Sequence, residues 1–165
     1  MNANPIRDSS KDRKPFWPAI TAAATLGGAL VFAFASGQIT TTHAAPTKTT
    51  QDGVYSDAQA TQGKAQYTQS CAACHMDDLS GSGQAPPLAG DAFSQVWDGH
   101  SVDELYELTR TTMPQDNPSS LTPDQYVAIV AYLFQANKYP SGKDELKSDP
   151  NALKDITISG KKGGS

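Results

Sequence analysis

Residues 71 to 75 read Cys71-Ala72-Ala73-Cys74-His75, and these are the only two cysteines in a chain of 165 residues. Thiols three positions apart, with a histidine directly after the second, match the C-x-x-C-H pattern of covalent c-type haem attachment. Each thiol can add to one porphyrin vinyl group, which leaves the histidine under the iron as proximal ligand. Three other uses of the pattern compete. A dithiol redox motif usually opens a helix after a strand in a βαβ unit, and no such unit is visible in this sequence. A zinc site would need two further ligands, and His100 is the only other histidine downstream of residue 44. A plain disulfide suits an exported chain but gives the adjacent His75 no part.

The first forty-four residues read as an export segment to be set aside before fold reasoning. Lys11, Arg13 and Lys14 form a basic start, and an apolar run rich in Ala, Gly and Thr follows from Ala19 to Ala35. Thr42-His43-Ala44 offers a cleavage site before Ala45. The run is also long enough for a retained N-terminal membrane anchor, so signal peptide and anchor both stand. Either way the remainder is expected outside the cytoplasm, in the bacterial periplasm, soluble or tethered to the inner membrane. Without residues 1–44, nine basic and fifteen acidic residues remain, a net charge of −6. Between Val54 and Pro140 only Lys64, Arg110 and Lys138 face ten carboxylates. Nucleic-acid binding needs Lys and Arg for phosphate contacts and is not expected. A redox partner with a basic docking face is.

Residues 45–53 lack apolar periodicity and read as a spacer, with ordered structure expected from Val54. Ser56 and Gln59 fit a capping box opening a helix to Ser70, with Ala60, Gly63 and Tyr67 on one stripe. Turn residues dominate from 76 to 100, with one short helical piece near Ala92–Trp97. Ser101 and Glu104 form a second box, starting a helix that contains Val102, Leu105 and Leu108. It must end before Met113, because Pro114 disfavours helical geometry there. Thr122-Pro123-Asp124-Gln125 is a third start signal. The helix it opens, to Ala136, is apolar nearly all round and should be buried. Residues 141–165 form a polar extension whose Leu146, Leu153, Ile156 and Ile158 could clip it to the domain, with a frayed end from Gly160. No strand pattern of consequence is seen, and the expected fold class is all-α.

Met113 is the leading candidate for the second axial position, in a loop just past a helix and stiffened by Pro114; a thioether there favours Fe(II). His100 or an open position are the alternatives. Met76 adjoins His75 and cannot reach the opposite face. Taken together, Gly63-x-x-x-Tyr67-x-x-x-Cys71-x-x-Cys74-His75, Pro86-Pro87-Leu88, Thr112-Met113-Pro114 and a final helix with Tyr132 resemble class I cytochrome c over Val54 to Tyr139. The resemblance implies a small fold of helices around one covalent haem c, with His75 and Met113 as iron ligands. It implies that the first and last helices cross, Gly63 admitting Tyr132 with Tyr67 in the same contact. It further implies that a carbonyl of the Pro86-Pro87 stretch, that of Pro87 first, accepts from His75 and that Leu88 packs on the haem. Trp97 and Tyr106 are candidate porphyrin neighbours, or plain core. The stretch from Thr112 to Tyr132 is similar to small cytochromes serving periplasmic quinoprotein dehydrogenases. The function implied is single-electron transfer, without enzymatic catalysis, between a periplasmic dehydrogenase or quinol-oxidising complex and a terminal acceptor of a respiratory chain. A haem-based ligand sensor or weak peroxidase is the alternative if the sixth position is open or labile.

Overall fold

The computed structural model describes residues 48–83 and 85–160. The export segment, residues 45–47 of the spacer and the tail after Gly160 lie outside the described residues. The elements in chain order are β1 (Lys48–Thr49), a 3-10 turn (Thr50–Asp52), α1 (Asp57–Ser70), α2 (Ala72–His75), α3 (Asp91–Trp97), α4 (Val102–Thr112), α5 (Pro123–Ala136), α6 (Pro150–Lys154) and β2 (Ile156–Thr157). The described residues are mostly helical with one two-residue strand pair, an all-α fold as expected.

The helix starts follow local chemistry. Ser101 with Glu104, and Thr122 with Gln125, each close a complete capping box, satisfying backbone N–H groups that have no partner inside the helix. Pro123 sits at the first helical position of α5, where its missing N–H costs nothing. Ser56 caps α1 by accepting from the Gln59 N–H at 3.1 Å, but the Gln59 side chain does not return to Ser56. Its amide instead pairs with the Leu146 backbone, donating to the carbonyl at 2.8 Å and accepting from the N–H at 2.9 Å.

α5 is the centre of the core, with every residue from Tyr126 to Phe134 buried. α1 crosses it at Gly63, where an added Cβ would lie 1.8 Å from the Ala128 carbonyl oxygen. The close approach expected at Gly63 is therefore to the Ala128 backbone and not to Tyr132. Tyr132 does meet Tyr67, with ring centroids 5.2 Å apart and planes tilted by 54°. On α4, Val102, Leu105 and Tyr106 are buried, while Leu108 faces solvent.

At the ends, the expected clip through residues 141–165 is present, while the unstructured spacer and the fray at Gly160 are corrected. The spacer is structured from Lys48: β1 pairs in parallel with β2, and buried Thr50 exchanges hydrogen bonds with the Ser159 backbone. The extension is docked, with Leu146, Leu153, Ile156 and Ile158 all in the core. Gly160 is not frayed, since its N–H donates to the Asp98 carboxylate. Sequence patterning missed the spacer's contacts because they join residues about a hundred positions apart and follow no helical or strand period.

Candidate haem site

The attachment motif grows directly out of α1. The Cys71 N–H donates to the Tyr67 carbonyl at 2.8 Å, closing α1, and the chain then kinks into the one-turn α2. His75 returns to the Cys71 carbonyl at 2.9 Å, so both thiols and the imidazole share one turn. Met76 ends that turn at φ 64°, ψ 156°, a region that is essentially glycine's and costs about 1–3 kcal/mol for other residues. Two bonds hold it there: its N–H to Ala72 at 2.9 Å, and the buried Tyr67 hydroxyl donating to its carbonyl at 2.7 Å.

The following loop folds back beneath His75. The Gly81 N–H donates to the His75 carbonyl, Ser82 Oγ to the Cys74 carbonyl, and the Leu88 N–H to the Leu79 carbonyl. At Gly81 (φ 73°) an added Cβ would lie 2.4 Å from the Ala85 carbonyl, so only glycine fits this path. The loop delivers the Pro86 carbonyl to within 3.0 Å of His75 Nδ1. A carbonyl only accepts, so Nδ1 carries the proton and Nε2 keeps its lone pair. The acceptor is Pro86 and not Pro87, a correction of one residue set by the tight turn at Gly81. His75 is 7% exposed.

Cys71 is half-buried and Cys74 exposed, and both are free thiols. Burial, with the neighbouring Cys74, pushes the Cys71 thiol up to about 11. Redox-active C-x-x-C thiols are tuned the other way, which counts against that use. Among the described residues no cluster of three or more His, Cys, Asp or Glu is placed to hold a metal ion. The donor set fits haem c: two unbonded thiols at the required spacing, and a buried imidazole whose Nδ1 is already committed. When bound, haem c supplies a one-electron iron couple.

Met113 is half-buried at the end of α4, in extended geometry, with its N–H on the Thr109 carbonyl at 2.9 Å. Its own carbonyl accepts from the Tyr126 hydroxyl at 2.7 Å. His100 lies before the other end of α4, half-exposed, with Nδ1 3.3 Å from Glu104 and its ring against Trp97. At about 1.5 Å per residue, the eleven residues of α4 separate the two candidates by roughly 17 Å, beyond the combined reach of their side chains. They cannot serve one position interchangeably. Leu88 is half-buried against the core, its carbonyl accepting from Asn137 Nδ2 at 3.0 Å, and Asn137 Oδ1 accepts from the Gly90 N–H at 2.9 Å. Trp97 stacks beside Phe93, and Tyr106 is core. The tethering roles of Tyr67, Tyr126 and Asn137 were not visible in the sequence, because nothing in their spacing marks a side chain that reaches across to a loop backbone.

The attachment motif and the helices around it agree with a class I c-type cytochrome domain. Residues 58–133 match the family model described as cytochrome C oxidase, cbb3-type, subunit III, covering the attachment motif, Met113 and most of α5. Residues 58–133 thus read as a c-type cytochrome domain, an electron-carrying haem module. Searches of curated proteins and of solved structures found no match. Among the described residues no helix is long and apolar enough to cross a membrane.

Proposed function

We propose that this chain is an exported monohaem c-type cytochrome. It holds haem c through Cys71 and Cys74, with His75 and Met113 as axial ligands, and works in the periplasm, soluble or tethered to the inner membrane. Single electrons pass to it from a dehydrogenase, a quinoprotein enzyme among them, or from a quinol-oxidising complex, and leave to a terminal acceptor. The observation that carries this reading is the buried His75 with Nδ1 held 3.0 Å from the Pro86 carbonyl, on one turn with two free thiols. Matching an oxidase subunit supports the respiratory setting. Ten carboxylates against three cations between Val54 and Pro140 favour partners with basic docking faces.

The test is the absorption spectrum of protein exported with haem-attachment machinery. A sharp c-type reduced band and a weak far-red methionine-to-iron band in the oxidised protein are expected. Haem should stay on the chain through denaturing electrophoresis and be lost in Cys71→Ala/Cys74→Ala. Haem that dissociates on denaturation would overturn covalent attachment; a missing far-red band would overturn Met113 as ligand.

A further inference from the structure

The loop after α4 leaves at Met113 and returns to α5 at Thr122, and one side chain touches both of its ends. The Tyr126 hydroxyl donates to the Met113 carbonyl at 2.7 Å and lies 3.5 Å from the Leu121 N–H, which donates to it. Between them, the Ser119 N–H and Oγ both donate to the Arg110 carbonyl at 3.1 Å, and the Asn117 N–H donates to Pro114 at 3.0 Å. The Tyr126 ring is 1% exposed within α5, the most buried helix. A rigid ring with one hydroxyl at its tip therefore ties the loop to the centre of the core.

We infer that Tyr126 is a positioning residue for the distal ligand: its hydroxyl sets how often Met113 leaves the iron. The inference rests on the reading of Met113 as axial ligand. Breaking the clip leaves the ring packed but frees the Met113 backbone at its exit from α4. Exogenous ligands bind only when the methionine is off, so their apparent affinity scales with the open fraction. Arg110 and Ser119 still hold the loop, so the open fraction should rise without the loop unfolding.

The experiment is imidazole titration of ferric holoprotein for the parent, Tyr126→Phe and Tyr55→Phe. Tyr55 makes the same kind of bond elsewhere, its buried hydroxyl donating to the Tyr139 carbonyl at 2.7 Å, so it reports loss of a buried hydroxyl contact alone. Tyr126→Phe should bind imidazole about tenfold more tightly than the parent, the size expected for one lost buried hydrogen bond. Its far-red band should fade at lower temperature on heating. Tyr55→Phe should match the parent in imidazole affinity. An affinity in Tyr126→Phe within twofold of a parent that shows the far-red band would overturn the inference. So would an equal rise in Tyr55→Phe, which would mean general loosening. A parent without the far-red band removes the Met113 reading itself, and this inference with it.

Discussion

Gly63→Ala sets two physical effects against each other with opposite signs. In an isolated helix the change is favourable by about 1 kcal/mol, because alanine restricts the unfolded chain more. At the α1–α5 crossing the new Cβ would lie 1.8 Å from the Ala128 carbonyl oxygen, 2.4 Å from its carbon and 3.1 Å from the Ile129 nitrogen. A relaxed carbon–oxygen contact is about 3.3–3.6 Å, so the helices would have to part by roughly 1.5 Å. The obstacle is backbone in the middle of a helix, which cannot rotate away as a side chain can. Overpacking costs about 1–3 kcal/mol where side chains can adjust, and this site belongs at or above the top of that range. Separation would also pull apart the Tyr67–Tyr132 pair, worth about 0.5–1.5 kcal/mol. Net of the propensity gain, destabilisation should be about 2–4 kcal/mol. For a domain of this size that is a fall in melting temperature on the order of 10 °C or more. Denaturant unfolding of the holoprotein, followed by far-ultraviolet circular dichroism, measures it. A variant as stable as the parent, or more so, would refute the close-contact reasoning and leave helix propensity in charge.

Two further perturbations probe the rest of the frame. Gln59→Leu keeps a buried side chain of similar size but leaves the Leu146 N–H and carbonyl unpaired; a loss of about 2–5 kcal/mol and faster proteolytic nicking in 141–149 are expected, and an unchanged digestion rate would contradict it. Asp103 is 8% exposed, with Oδ1 unpaired; burial holds its carboxyl above the usual value of 3.8, against the pull of Lys154 at 3.9 Å. A raised folded value means the folded state holds the proton more tightly, so this group weakens the fold as pH rises from about 3.8 through the folded value. The stability of Asp103→Asn relative to the parent should therefore climb across that window, by at most about 1.4 kcal/mol per pH unit; a flat or falling difference in pH-dependent melting would refute it.

What the sequence made legible was local. Ser56, Ser101 and Thr122 mark helix starts because a capping side chain acts within three residues, and Pro114 marks an end because it constrains its own neighbour. The C-x-x-C-H motif is equally local, since its chemistry needs the three side chains on one turn. What stayed hidden depends on distant backbone. The choice of Pro86 over Pro87 follows from the turn at Gly81, whose tightness comes from the Ala85 carbonyl facing it. Gly63 was recognisable as a close-approach glycine, but its partner depended on the crossing register, which the apolar pattern of α5 leaves open because every face of that helix is buried. The extension was legible only in its four apolar residues, since Gln59 and Thr50 also hold it, through polar groups that read as surface.

The three most consequential tyrosines share one arrangement. Tyr55, Tyr67 and Tyr126 are each about 1% exposed, and each sends its hydroxyl 2.7 Å to a main-chain carbonyl outside the core helices: Tyr139, Met76 and Met113. Two of those carbonyls belong to the segments that carry the candidate iron ligands. A buried ring has few rotamers and a fixed reach, so the α1–α5 crossing dictates where both segments lie without any contact between them. An electron carrier gains from this, because groups already in place need not rearrange when the charge at the iron changes. Met76, held in a glycine-like conformation beside His75, shows how strongly the core overrides local preference there. The same logic makes Gly63 a residue of the site at one remove: parting α1 from α5 displaces Tyr67 from Tyr126, and with them His75 from Met113.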